Sequence, residues 1–185
     1  MKTILLLGVM LVLFQEAEAN FGVKESFDLN QFAGFWYVSA VAAKNVSTLN
    51  IPPTKRIGSV LITPQVGAVN FTFMADLNGS CVRREQSDVQ MVFPGIFQIN
   101  PAISLTVVDT DYMNFAFVLT SGTFTDGEFK FLTAYGRARE LDIEDEMKFC
   151  MALDSEGIPH KQKIFLKNDD TCARLMKEDY FSALL

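Results

Sequence analysis

The stretch Gly34-Phe-Trp-Tyr-Val-Ser-Ala40 (GFWYVSA) holds the only tryptophan in the chain, and no charge follows it until Lys44. A glycine ahead of aromatic and β-branched residues reads as the opening of a strand. Along a strand side chains alternate, so Val38, Ala40 and Ala42 share the face of Trp36. Small residues on an inward face leave room behind the indole. The choice is therefore between a hollow barrel and an ordinary packed β-domain.

Further strand-like runs follow. They are Ile57–Thr63, Ala68–Ala75, Cys81–Gln86, Ile96–Asn100, Ile103–Asp109, Tyr112–Thr120 and Glu128–Arg137, with the first at Phe35–Ala43. Pro64, Asn78-Gly79, Pro94-Gly95, Ser121-Gly122 and Asp126-Gly127 punctuate them. Eight strands at this spacing predict an all-β, antiparallel sheet closed into an up-and-down barrel. In VNFTFMA, Val69, Phe71 and Phe73 share one face, and Asn70 lies on the other. Phe115, Phe117 and Leu119 oppose Ala116 and Val118, so that strand is apolar on both faces and needs an outer cover.

The segment LDIEDEMKFCMALDSEG supplies the cover. Asp142 is the predicted N-cap, acidic residues fill the first turn, and Gly157 and Pro159 end the helix. Ile143, Met147, Cys150 and Met151 recur at helical spacing and are expected to be its buried stripe. Of the three cysteines, that buries Cys150 and leaves Cys81 and Cys172 to pair; spacing alone permits any of the three pairings.

The first nineteen residues read as a secretory signal peptide. Lys2 precedes the apolar run Ile4–Phe14, and Ala17-Glu-Ala19 fits a cleavage site. Residues 20–185 are then one domain, secreted and extracellular. Sequons at Asn45, Asn70 and Asn78 are candidate N-glycosylation sites. A formal net charge of −6 offers no basic footprint for nucleic acid. No apolar run after the leader is long enough to span a bilayer. No H-E-x-x-H, G-x-S-x-G, P-loop or Cys/His metal spacing is present, and His160 stands alone, so neither an enzyme nor a metal or cofactor site is expected.

Gly34-Phe-Trp-Tyr37, Asp109-Thr-Asp-Tyr112 and Tyr135-Gly-Arg-Ala-Arg-Glu140, in this order, resemble the three short blocks of the lipocalins. Phe27–Lys44, Phe93–Tyr112 and Cys172–Asp179 are most similar to the epididymal, retinoic-acid-binding type. The resemblance implies an eight-stranded calyx with one C-terminal helix on its outside. It implies that Gly34, Trp36 and Arg137 build the barrel floor, with Arg137 packed across the indole. Parity and family placement together make Trp36, Val38, Ala40, Ala42, Val69, Phe71, Phe73, Phe97, Ile99, Leu105, Val107, Ala116 and Val118 the expected ligand-cavity lining. The resemblance singles out Arg84 as partner for a ligand carboxylate. The expected function is a monomeric extracellular carrier of a retinoid or fatty-acid-like lipophile, in male reproductive fluid. The alternative is a protein-interaction module, whose mouth loops Lys44–Lys55 and Gln86–Phe93 would meet a cell-surface receptor or secreted partner.

Overall fold

The computed structural model describes residues 27–44, 58–124, 127–166 and 170–182. The leader 1–19, the sequon at Asn45 and nearly all of the 44–55 loop lie outside them. A short helix α1 (Leu29–Phe32) leads into β1 (Gly34–Ala43), β2 (Gly58–Gln65), β3 (Ala68–Leu77), β4 (Ser80–Phe93), β5 (Ile96–Asn100), β6 (Ile103–Thr110), β7 (Phe115–Phe124) and β8 (Gly127–Gly136). Then come α2 (Ile143–Ser155), a 3-10 turn, β9 (Lys163–Phe165) and α3 (Thr171–Ser182). Each of the eight strands pairs antiparallel with its neighbour, and β1 pairs with both β2 and β8, which closes the barrel. The short β9 adds to the far half of β1.

Most strand limits fall within two residues of the sequence reading; both ends of β7 and the end of β4 differ by more, the start of β7 and the end of β4 each for a local reason. β7 begins at Phe115 because Asp111 gathers the amides of Met113, Asn114 and Phe115 at 3.1, 2.8 and 3.0 Å. Burial works against that carboxylate's charge, but these donors outweigh it and hold its pKa below the usual range. β4 runs on to Phe93 through an irregularity at Asp88, whose φ is +58° and whose amide donates to Asn70 Oδ1. Gln86–Phe93 is therefore not a mouth loop. It is strand, and it leads to the barrel's closed end.

β1 carries the most consequential irregularity. Val38 pairs with Tyr135 but Ala40 pairs with Ala134, so Ser39 is an extra residue. The bulge inverts parity. Plain alternation puts Ala40 and Ala42 inside; instead they face outward and pack with Phe149, Leu153 and Phe117. Their small size serves close approach of α2, not cavity room. Val41 and Ala43 take the inward positions, opposite Thr133 and Phe131.

The predicted N-cap of α2 is observed, with Asp142 Oδ1 accepting from Asp145 N at 2.8 Å. The helix covers Phe115, Phe117 and Leu119, as the doubly apolar β7 requires. Its buried face, however, is Asp145, Phe149, Ala152 and Leu153. Ile143, Met147 and Met151 are 80, 63 and 59% exposed. The sequence offers two apolar stripes on nearly opposite faces, and the one carrying Phe and Leu docks because it buries more rigid apolar area. Leu153→Ala is expected to cost about 3 kcal/mol. Met147→Gln and Met151→Gln should each stay within roughly 0.5 kcal/mol. Urea denaturation of the three variants checks this, and equal losses would reverse the helix assignment.

α3 covers the other flank, where Cys172, Ala173 and Met176 pack on Phe35, Tyr37 and Met74. A disulfide joins Cys81, at the start of β4, to Cys172 across a sequence separation of 91. Cys150 is a free thiol, half-buried, with Lys163 Nζ 2.9 Å from its sulfur.

Candidate functional site

The closed end is built first. Trp36 is fully buried, and its indole N–H donates to Phe32 O at 2.8 Å. The Arg137 guanidinium lies 3.6 Å from the centre of the indole ring. Its nitrogens donate to four carbonyls: Tyr112 at 3.1 Å, Phe35 at 2.8 Å, Gln31 at 2.8 Å and Ala33 at 3.0 Å. Burial lowers the Arg137 pKa to about 10, so it stays charged at neutral pH. Gly34 has φ +95°, and a Cβ there would stand 3.5 Å from Arg137 Nη1. The left-handed backbone favours glycine at that position, while the approach to Arg137 is an ordinary contact.

Above the floor, Phe71 meets Phe97 edge-on at 5.3 Å, and Phe97 stacks on Phe32 at 6.1 Å. Trp36, Val69, Phe97 and Ala116 keep no accessible surface. These expected lining residues face inward, but they form a solid plug at the closed end and do not border open space. Burial is less complete higher up. Val38, Phe73 and Ile99 pack against the same inner cluster yet are only partly buried. Leu105, Val107 and Val118 complete that wall.

Several inward residues escaped the sequence reading. Val60, Ile62, Val89 and Tyr135 belong to the inner cluster. Thr120 and Thr133 have inward parity, opposite Leu105 and Val118. Gln86 and Arg84 stand opposite Phe71 and Phe73 on the inner face of β4. Arg84 is exposed, and its neighbour Arg83 points the other way and pairs with Glu85 at 2.6 Å. Strand pairing is the signal that turns these residues inward; Tyr135 opens the third sequence block and Arg84 is singled out by the resemblance, but no motif marks the others. Asn78 is exposed at the β3–β4 turn, and Asn70 is half-buried on the outer face. A cleft of about 830 Å³ at the rim is bordered by Gln98, Ser104, Ser121 and Lys130. Those four have outward parity, whereas Ile103, Gly122 and Phe129, which also border it, have inward parity, so the cleft spans the rim of β5 to β8.

A model of the Lipocalin / cytosolic fatty-acid binding protein family matches residues 33–170. The chain is a lipocalin. The family binds and carries small hydrophobic molecules. The chain is 26% identical to Prostaglandin-H2 D-isomerase of Bos taurus over 182 residues, covering 91% of this chain and 92% of that one. It is 33% identical to human Glycodelin over 127 residues, covering 66% and 70%. A solved structure of the siderocalin Ex-FABP superposes with a TM-score of 0.66 at 17% identity, over 75% of this chain and 91% of that chain. That likeness supports the lipocalin fold alone. In this lipocalin neither described sulfur environment lies inside the barrel: Cys81 is bridged and Cys150 sits on α2. Among the described residues no helix is long and apolar enough to cross a membrane, and no group of His, Cys, Asp and Glu could hold a metal ion.

Proposed function

We propose that this lipocalin is a secreted, monomeric, non-enzymatic carrier of one small lipophile, retinoid-like or fatty-acid-like, held in the upper barrel. One observation carries the reading. Inward apolar side chains of Val38, Phe73 and Ile99 retain accessible surface above a sealed floor. A filled core would have buried them. An elongated ligand burying some 300 Å² of apolar surface would gain roughly 7 kcal/mol before association costs. Arg84 is placed to meet a carboxylate left near the entrance. The likeness of Phe27–Lys44, Phe93–Tyr112 and Cys172–Asp179 to epididymal lipocalins supports retinoic acid as first probe, and male reproductive fluid as the source to examine.

Titration with retinoic acid should quench Trp36 emission by energy transfer and saturate at one equivalent. Arg84→Met should weaken retinoic acid by up to about tenfold and leave retinol unchanged, since a charge-assisted hydrogen bond contributes about 1.5–3 kcal/mol before screening at an exposed site. Absence of saturable binding by retinoids and long-chain fatty acids alike would end the carrier reading. A protein-interaction module remains the second reading, with the Lys44–Lys55 loop as its surface and the exposed Ile143, Met147 and Met151 of α2 as a further one.

A further inference from the structure

Three hydroxyls on the β7–β8 wall have no task in the floor or in the apolar lining. Tyr135, Thr133 and Thr120 are 4, 7 and 9% exposed. Strand register turns all three inward. Tyr135 stands between Val38 and Ala116, Thr133 between Val41 and Val118, and Thr120 between Leu105 and Phe131. Thr133 and Tyr135 are two apart on one strand, and Thr120 is diagonal to Thr133 across the pair, a spacing of about 7–8 Å or less between backbones.

None of the three hydroxyls bonds to another described residue, and none is sealed: Gln162 Oε1 is the only fully enclosed side-chain nitrogen or oxygen without a partner among the described residues. Each oxygen therefore opens onto the barrel interior. Buried hydroxyls are nearly always hydrogen-bonded, and leaving three unpaired on one wall is costly.

The surroundings decide what would satisfy them. The side chains flanking the stripe on β1, β6 and β7 are Val38, Val41, Leu105, Ala116 and Val118, all apolar. Arg137 is committed to four carbonyls beneath Trp36. A carboxylate at this wall would be buried without a counter-charge, which is strongly unfavourable. A neutral oxygen meets no such penalty, and hydroxyls can both donate to it and accept from it. Burial also pushes the Tyr135 pKa up, which keeps its phenol a donor. Arg84 and Gln86 lie on β4, four strands round the barrel and so on the facing wall.

We propose that Tyr135, Thr133 and Thr120 form a polar subsite for an uncharged oxygen group, a hydroxyl or ketone, at the inner end of the carried lipophile. This rests on the carrier reading above. The ligand class it selects is an oxygenated lipid acid, with its neutral oxygen on the β7–β8 wall and its carboxylate toward Arg84. Such a ligand is held at both ends, whereas a plain fatty acid leaves the inner hydroxyls unpaired.

Palmitic acid and its terminal-hydroxyl counterpart separate the possibilities, measured by calorimetry and by displacement of a fluorescent fatty acid. Tyr135→Phe and Thr133→Val, each checked by thermal melt, remove a hydroxyl at nearly constant shape. Each should weaken the hydroxy acid by roughly 3- to 10-fold, the worth of one net hydrogen bond, and leave palmitic acid unchanged or tighter. Arg84→Met should weaken both acids alike. If the hydroxyl deletions shift both acids equally, or neither, the subsite is overturned while the carrier stands. If neither acid nor the fluorescent probe binds the native protein, the carrier reading fails and takes the subsite with it. Should Tyr135→Phe fail to fold, Thr133→Val alone separates these outcomes.

Discussion

Arg137→Met is expected to destabilise the protein by about 3–5 kcal/mol, because four backbone carbonyls lose a charged donor at once. For a domain of this size that is a fall of roughly 10 °C in Tm. The individual bonds share one guanidinium, so their effects do not sum. The contact over the indole adds about 0.5–2 kcal/mol to what is lost. Arg137→Lys should recover little, since an ammonium is a point donor and cannot span carbonyls from Gln31, Ala33, Phe35 and Tyr112. Thermal and urea unfolding decide it. A loss under about 1 kcal/mol would mean that water replaces the guanidinium freely and that the floor is not sealed.

Removing the disulfide is the second large effect. Cys81→Ser with Cys172→Ser opens a loop of 91 residues, and the chain-entropy account puts the loss at about 4–5 kcal/mol. Changing both cysteines avoids leaving a lone thiol. Reduction of the native protein should lower the urea midpoint by the same amount. The effect should fall on the attachment of α3, whose Ala173 and Met176 then hold to Phe35 and Met74 by packing alone. If reduction and double substitution both leave the midpoint in place, the bond is ornamental to stability.

Much of this architecture could be read from the residues, and the failures have physical causes. Alternation and turn residues placed all eight barrel strands, because period-two patterning and Gly or Pro punctuation are local. The covering helix followed from a strand apolar on both faces. What alternation could not reveal was a single inserted residue in β1, since nothing in Tyr37-Val-Ser-Ala40 distinguishes a bulge from regular strand. Nor could periodicity choose between the Ile143 and Phe149 faces of α2, since both fit. The short β9 and the helix that carries Cys172 escape a sequence reading because their patterns are brief or weakly apolar. Arg84 is reached only through family likeness; the inward direction of Gln86 beside it, and of Thr120, Thr133 and Tyr135 on the facing wall, depends on which strands pair, and register is a property of the closed sheet.

Ser39 shifts the phase of an entire strand. Before it, even-numbered positions of β1 look into the barrel; after it, odd-numbered positions do. A saturation scan along Gly34–Ala43 should therefore show tolerance alternating with position and then slipping by one step at Ser39. Deleting that serine would remove the bulge and leave the faces unchanged, because plain alternation onward from Val38 then turns Ala40 and Ala42 to the helix and Val41 and Ala43 to the lumen. A substitution to a residue that forbids the bulge, with the length kept, is the change that would exchange lumen and helix partners.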